Sequence, residues 1–262
     1  MSHRTETGRV FSISSALLLA VFALVSATPI VPSAWWPLLT AIVLVVTIAL
    51  ILVRDRRAAS LSFFCLILSV CAVVNPWAFW PMGFLVPLIA CAIVIGGIGW
   101  LRRGVVLPPW GRFDRGTIGL IVLTVVGSSA ALVAWYALTQ PDVSDLQAMI
   151  PAWPVWAMPL AGLGFAVINA LMEEAIWRWI LWDLLKRAVS ITLLVVVLQA
   201  VSFGLVHIHG FPRGWMGVGM ATLYGLFLGW VRHRGGGLGP PIAAHIFADI
   251  TIFGIMIFTM TR

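Results

Sequence analysis

Nine stretches of about 20 apolar residues follow one another along the chain, with short polar connections between them. They cover roughly residues 10–31, 35–53, 58–75, 79–101, 117–138, 157–180, 188–208, 214–231 and 240–260. An α-helix needs about 20 such residues to cross the hydrocarbon core of a bilayer. Of the 262 residues 61% are hydrophobic and 10% are charged, whereas soluble domains carry about 25% charged residues. We therefore predict an all-α, polytopic transmembrane helix bundle of about nine spans, with eight possible.

The basic residues are distributed unequally between the two ends of these spans. If the N-terminus is cytoplasmic, Arg213 and Arg262 are the basic residues that fall outside, and thirteen others fall inside. The thirteen are Arg4, Arg9, Arg54, Arg56, Arg57, Arg102, Arg103, Arg112, Arg115, Lys186, Arg187, Arg232 and Arg234. Cytoplasmic connections of membrane proteins carry such an excess of Lys and Arg, so we predict a cytoplasmic N-terminus. A net charge of +7 placed in this way indicates orientation signals, and we expect no nucleic-acid partner.

The position of the charges divides the chain into two parts. Residues 1–150 carry every charge in connections or tails, which is typical of a scaffold, here of about five spans. Residues 151–262 carry charges inside the apolar stretches. We predict an N-terminal transmembrane scaffold over 1–150 and a catalytic helical bundle over 151–262, integrated into one membrane domain.

Several ionisable residues of the second part lie where a bilayer makes them costly. They are Glu173, Glu174, Arg178, His207, His245 and Asp249. A charged side chain at the centre of a span costs about 2.5–3.5 kcal/mol, so the four Glu, Arg and Asp residues together cost on the order of 10 kcal/mol before they pair. Stability does not explain such residues, and they indicate a functional site. They form three motifs: Glu173-Glu174-x-x-x-Arg178, Phe203-x-x-x-His207 and His245-x-x-x-Asp249.

These three motifs, in this order over about 80 residues, resemble those of the CPBP family. This family comprises the CAAX-protease and bacteriocin-self-immunity-like membrane proteins, related to the eukaryotic prenyl-protein endopeptidase. The resemblance covers about residues 155–255 and does not extend to the first 150. It implies a glutamic-type intramembrane endopeptidase without a cofactor, acting on a membrane-associated protein or peptide. In the family the pair equivalent to His245 and Asp249 is thought to stabilise the oxyanion, and Asn is the commoner second residue.

The spacing within the first motif separates the two glutamates. Glu174 and Arg178 are four residues apart, so on an α-helix they share a face and can pair. Glu173 points about 100° away and is left as the free carboxylate. Burial disfavours its ionised form, which suits a general base that takes a proton from water. The alternative is that both glutamates only lock helices together through Arg178.

The other two motifs supply the remaining roles. We expect His207 to hold the same water and to pass a proton to the leaving amine, and Phe203 to fix its imidazole or to line the cleft. Asp249 is either protonated and donates to the oxyanion, or ionised and orients His245, and the sequence leaves both open. For the three motifs to meet at one depth, the helices must tilt or the chain must break after Arg178.

Other functions remain possible from the residues alone. Two carboxylates and two histidines could ligate a metal, which would make the chain a metal-dependent membrane protease. The buried acids could instead serve a non-enzymatic transporter or immunity factor. The substrate stays open between a prenylated protein, a peptide pheromone, a C-terminal sorting tail and another membrane protein. One lysine against fifteen arginines suggests a prokaryotic protein, which we would place in the plasma (inner) membrane as a multi-pass protein.

Overall fold

The computed structural model describes residues 12–74, 82–148, 150 and 153–260, and within these ranges its regular secondary structure is helical, with no strand. Among the described residues, seven helical segments are long and apolar enough to cross a membrane. They are Ile13–Ile30, Ser33–Leu52, Arg56–Val74, Arg115–Thr139, Met158–Ala188, Gly214–Gly235 and Gly239–Phe258. The prediction of an all-α polytopic bundle is therefore confirmed, and the chain is a multi-pass membrane protein.

The first half of the chain forms helices, some of which begin after a polar capping residue. They are α1 (Ile13–Ala27), α2 (Trp36–Leu52), α3 (Arg56–Val74), α4 (Met82–Gly97), α5 (Gly99–Arg102), α6 (Arg115–Thr139) and α7 (Ser144–Gln147). The hydroxyl of Ser12 caps α1 by accepting the backbone N–H of Ser15 at 3.1 Å. The carboxylate of Asp114 caps α6 by accepting the N–H of Thr117 at 2.9 Å. That hydrogen bond lowers the pKa of Asp114 below its ordinary value, and it fixes where α6 starts.

The second half contains the helices that carry the three motifs. They are α8 (Met158–Glu174), a π-helical segment (Ala175–Leu181), α9 (Trp182–Ala188), α10 (Thr192–Val206), α11 (Gly214–Gly235) and α12 (Gly239–Met260). The π-helical segment joins α8 to α9 without a break. Gly236, at φ +68°, ends α11 in the left-handed conformation that glycine adopts without strain.

Within the described residues, two of the nine predicted spans form helices shorter than a full crossing. The stretch predicted over 79–101 yields α4, of 16 residues, and the stretch predicted over 188–208 yields α10, of 15 residues. These lengths are about 24 and 22 Å, against about 30 Å of hydrocarbon. Residues 10, 11, 75 and 79–81 of the predicted spans lie outside the described residues. Helix α10 ends at Val206, and the connection 207–213 that follows contains Gly210 and Pro212.

The helices of the second half pack around α12. Helix α12 lies against α6, α8 and α11, while α10 packs along α11 and also contacts α1. Gly225 of α11 lies against the backbone of Ala200 of α10, so that a Cβ at position 225 would come within 3.0 Å of the Ala200 Cα. Small residues at such crossings let membrane helices approach closely. This packing brings the ends of α8 and α10 to the middle of α12.

The basic connections meet at one end of the bundle, which we call the arginine-rich face. It comprises the connections 53–57, 101–115, 186–191 and 232–238. Arg57 pairs with Asp183, and Arg187 pairs with Asp55 at 2.7 Å, so the start of α3 is tied to α9. The Val106 carbonyl accepts the indole N–H of Trp179 at 2.9 Å. The loops that the positive-inside pattern groups together are thus neighbours in space.

The other connections meet at the far end, which we call the opposite face. It comprises residues 28–35, 140–157 and 207–213, as far as they are described. A ring nitrogen of His209 lies 3.2 Å from the carbonyl oxygen of Pro29. The rings of Trp135 and Phe211 pack edge to face at 5.1 Å. The turn Asn75–Trp80, predicted for the same face, lies outside the described residues.

Candidate active site

Helix α8 and the π-helical segment bury the first motif. Glu174 and Arg178 are fully buried, and Glu173 is 7% exposed. Arg178 Nη1 donates to Glu174 Oε1 at 3.0 Å, so the ion pair expected from the four-residue spacing is present. Oε2 of Glu173 has no hydrogen-bond partner among the described residues. The first motif therefore presents one carboxylate that is paired with Arg178 and one that is not.

Of the two alternatives left open by the sequence, helix tilt or a break after Arg178, the break is absent. The chain continues through Ala175–Leu181 with the wider π-helical turn and then resumes as α9. Such a turn inserts extra backbone into a helix and recurs at functional sites. Arg232 Nε donates to the Arg178 carbonyl oxygen at 3.1 Å, which occupies one of the backbone acceptors of this segment. The site is therefore assembled on a continuous helix with a local change of winding.

His245 of α12 joins the two glutamates. Its Nδ1–H donates to Glu174 Oε1 at 2.8 Å, and its Nε2 lies 3.5 Å from Glu173 Oε2. Glu174 thus accepts from Arg178 and His245 with one oxygen. Sequence reasoning assigned Glu174 to Arg178 alone. In the structure the same carboxylate also sets the orientation of the His245 ring.

Phe203 and His207 occupy the end of α10. His207 Nδ1–H donates to the Phe203 carbonyl oxygen at 2.8 Å, which leaves Nε2 of His207 for other partners. The Phe203 ring lies 4.6 Å from the His207 ring, and the Arg178 guanidinium stacks over it at 4.3 Å. It also meets the His245 ring edge to face at 6.0 Å. Phe203 is therefore the aromatic side chain around which the three motifs pack.

Asp249 lies one helical turn beyond His245 and has a partner that the sequence reasoning missed. Its Oδ1 is 3.8 Å from His245 Nε2, and its Oδ2 accepts from Asn169 Nδ2 at 3.1 Å. Asn169 is buried on α8, four residues before Glu173. That i, i+4 spacing puts both side chains on one helix face. A buried amide at this spacing from Glu173 was the signal that could have identified it.

Tyr224 of α11 is a second residue that the sequence reasoning missed. Its ring meets the His245 ring edge to face at 5.6 Å. Its hydroxyl donates to the Ala244 carbonyl oxygen at 3.4 Å. The motif spacing gives no signal for Tyr224, because α11 lies between the second and third motifs.

A large cavity connects these residues. It has a volume of about 1870 Å³ and is lined by Asn169, Glu173, His207, His245 and Asp249 among many apolar side chains. Glu174 and Arg178 lie behind this wall, where neither is exposed. The six ionisable residues predicted from sequence therefore separate into four that face the cavity and two that support them. Within the described residues, no group of three His, Cys, Asp or Glu side chains is arranged to hold a metal ion.

Comparison with known families gives one match. Residues 151–251 match the profile of the Rce1-like family, described as type II CAAX prenyl endopeptidase Rce1-like. The match confirms the resemblance drawn from the three motifs and supports a membrane protease, which is a peptide hydrolase. It covers less than half of the chain. No curated protein and no solved structure matches the chain.

Proposed function

From the match of residues 151–251 to the Rce1-like CAAX prenyl endopeptidase profile and from the geometry of the site, we propose that this chain is a glutamate-dependent intramembrane endopeptidase. It hydrolyses a peptide bond of a membrane-associated protein or peptide with a water that Glu173 activates. The observation that carries this proposal is the convergence of Glu173, His207, His245 and Asp249 on one cavity. A scaffold alone would not need four polar side chains on the wall of an apolar cavity.

Glu173 is the general base. Glu173 lines the cavity, and its Oε2 lies 3.5 Å from His245 Nε2 without accepting a hydrogen bond from any described residue. Arg178 is held by Glu174, so the arginine does not neutralise Glu173. As the water oxygen bonds to the substrate carbonyl carbon, Glu173 takes a proton from that water. General bases placed in this way contribute about 10²–10⁴ to the rate.

His245 and Asp249 stabilise the oxyanion that forms on the substrate carbonyl. Nδ1–H of His245 is donated to Glu174, so His245 acts as the doubly protonated imidazolium, and its Nε2–H, which lies between Glu173 and Asp249, donates to the oxyanion. Donors that are held in place before the reaction need no reorganisation in the transition state. Asn169 acts as a positioning residue, because its amide fixes one oxygen of Asp249 and leaves the other toward His245.

His207 completes the reaction at the leaving group. Because Nδ1–H is donated to the Phe203 carbonyl oxygen, Nε2 is the nitrogen that carries protons in the cavity. The proton taken by Glu173 passes through this nitrogen to the amide nitrogen as the C–N bond breaks. The products are a carboxylic acid and an amine, and no group outside the site is consumed.

The proposal is tested by asking whether the new carboxyl group of the cleaved polypeptide takes its oxygen from water. The purified protein is reconstituted into vesicles with solubilised membrane proteins of its host in ¹⁸O-labelled water, and newly formed carboxyl termini are sequenced by mass spectrometry. We expect ¹⁸O-labelled termini that are absent with the Glu173→Gln variant. Equal labelled termini with both proteins would show that Glu173 is not the base. An absence of labelled termini with both would contradict peptide hydrolysis.

A further inference from the structure

The cavity reaches the surface at one end of the bundle. Its wall includes Pro29 from the connection 28–35, Trp153 and Trp156 from the connection 140–157, and Arg213 from the connection 207–213. These connections make up the opposite face. Trp153 and Trp156 are 53% and 76% exposed, so they form the rim of the cavity and not its interior.

The other end of the cavity is closed by packed side chains. Beneath Glu173 lie Trp177, Arg178, Leu181 and Trp182, each less than 8% exposed. The Arg232 guanidinium lies over the Trp182 ring at 5.5 Å. Among the described residues, none from the connections 53–55, 103–114, 189–191 and 236–238 lines the cavity. The arginine-rich face therefore has a floor between it and the site.

A backbone strap reinforces this floor. The carbonyl oxygens of Pro109 and Trp110 accept the N–H groups of Leu238 and Gly239 at 3.0 and 2.7 Å. The N–H of Arg112 donates to the Gly235 carbonyl oxygen at 2.8 Å. The loop between α5 and α6 is thus bonded to the turn between α11 and α12, across the end of the bundle that the substrate would otherwise use.

We propose that the substrate enters the site from the opposite face, and that this face lies outside the cytoplasm. The inference rests on the proposed function for its substrate, and on the positive-inside pattern for its orientation. It assigns the substrate to a class: an exported or membrane-anchored polypeptide whose scissile bond lies at the outer leaflet. Cytoplasmic polypeptide tails are excluded as direct substrates, because the floor and the strap separate them from Glu173.

The dimensions of the cavity fit a polypeptide segment. Pockets for small molecules measure about 300–1,000 Å³, and this cavity is larger, at about 1870 Å³. Its wall is mainly apolar, and the ionisable side chains of the site form one part of it. An apolar segment of a membrane-anchored chain can therefore enter from the rim and bring its backbone to the site.

The test measures the side from which the cavity can be reached. The native thiol of Cys71 lines the cavity, whereas Cys65 and Cys91 are buried at 0% and 7% exposure. In a Cys71→Ala background, Ser128→Cys places a second thiol on the cavity wall, and Ser190→Cys places a control thiol on the arginine-rich face. Intact and permeabilised bacterial spheroplasts that express each variant are treated with a membrane-impermeant maleimide.

We expect Cys71 and the Ser128→Cys variant to be labelled in intact spheroplasts, and the Ser190→Cys variant only after permeabilisation. The Cys71→Ala parent should lose the label. Labelling of the cavity thiols only after permeabilisation, or not at all, would overturn the inference. Labelling of the Ser190→Cys variant in intact spheroplasts would overturn the orientation and with it the substrate class.

Failure of this inference and failure of the proposed function have different signatures. Maleimide labelling needs no hydrolysis, so a Glu173→Gln protein should give the same labelling pattern. The ¹⁸O-labelled termini should map to extracytoplasmic segments of membrane proteins. Labelled termini in cytoplasmic segments would overturn the substrate class and leave the endopeptidase function intact. Correct labelling without ¹⁸O-labelled termini would overturn the function and leave the direction of access intact.

Discussion

The chain uses ion pairs in two places, and their surroundings differ. At the arginine-rich face, Asp55 pairs with Arg187, with their side chains 22% and 32% exposed. In the interior, Glu174 pairs with Arg178 and neither side chain is exposed. A pair near the surface contributes about 0–1 kcal/mol. A buried pair is offset by desolvation, and replacing both partners by apolar groups is often neutral or stabilising.

The ion pairs at the arginine-rich face and the interior ion pair have different roles. The pairs at the arginine-rich face tie the start of α3 to α9 with little cost, since water still reaches both partners. The electrostatic attraction within the interior pair is offset by the desolvation of both charges. Its carboxylate has a second role, because it holds His245 beside Glu173. The interior charges are therefore explained by the site that they hold, and the charges at the face by orientation and docking of the helices.

The largest expected effect is on activity and comes from Glu173, the interior glutamate that does not pair with Arg178. Glu173→Gln keeps the size of the side chain and removes the base. We expect activity to fall by about 10²–10⁴-fold while the thermal unfolding temperature in detergent stays unchanged. The measurement is the initial rate of formation of the ¹⁸O-labelled termini, together with a melting curve. A lower melting temperature that accompanies the loss of activity would show that Glu173 has a structural role, and would contradict the role assigned to it here.

The second effect is on stability and comes from the interior pair itself. Arg178→Ala leaves Glu174 buried without its arginine and removes the guanidinium from the Phe203 ring. Breaking a buried pair in this way costs about 3–5 kcal/mol, so we expect a lower yield and a lower melting temperature as well as lost activity. Arg187→Ala, at the arginine-rich face, is the matched control and should cost about 1 kcal/mol or less. Equal melting temperatures for the two variants would contradict this difference.

The fold was predictable because membrane spans need long apolar stretches. Seven of the nine stretches form helices of sufficient length, and the distribution of arginines grouped the connections correctly. The lengths of α4 and α10 were not predictable in this way. The predicted apolar stretch runs to Ile208, but the helix ends at Val206, before a connection that contains Gly210 and Pro212. Hydropathy alone does not predict where the helix ends.

The site was predictable where its residues share a helix, and less so where they lie on different helices. The pair Glu174–Arg178 follows from a four-residue spacing. The hydrogen bond from His245 to Glu174 joins residues 71 positions apart, so periodicity holds no information on it. Asn169 falls between these cases, since its spacing from Glu173 is regular but its partner Asp249 lies on α12. The π-helical winding after Glu174 likewise has no signature in the apolar pattern.

A smaller effect is expected at the arginine-rich face. Burial alone would raise the pKa of Asp55, but the Ala58 N–H and Arg187 together hold this pKa below its ordinary value. A carboxyl group with a lowered pKa stabilises the fold above its unfolded pKa of about 3.9, and this contribution disappears as the pH falls through the folded value. Asp55→Asn should therefore cost about 0.2–1 kcal/mol at neutral pH. The melting temperatures of the two proteins should begin to converge below about pH 4 and should meet below the folded pKa of Asp55. A difference in melting temperature that does not change with pH would assign the effect to packing.

The smallest effect is expected from Asp249→Asn, an interior change that separates the two roles considered for this residue. Glu174 already orients His245 at 2.8 Å, whereas Asp249 Oδ1 is 3.8 Å away. Among the described residues, no Lys or Arg lies within salt-bridge distance of Asp249. We therefore treat Asp249 as the neutral acid, with Oδ2 accepting from Asn169 and Oδ1–H donating toward the oxyanion. An amide of the same size preserves that donor.

Activity of the Asp249→Asn variant should then stay within about threefold of the parent, or about 0.7 kcal/mol, and should extend to higher pH because an amide does not ionise. The measurement is a pH–rate profile of both proteins on one cleaved substrate. Asp249→Leu, which keeps the branching of the side chain at Cγ and removes the donor, is the control and should lose about 10²–10³-fold, the usual cost of one oxyanion donor. A loss of that size in the Asn variant at every pH would show that Asp249 is ionised. Ionised Asp249 would then be a second carboxylate, besides Glu174, that holds His245 in place.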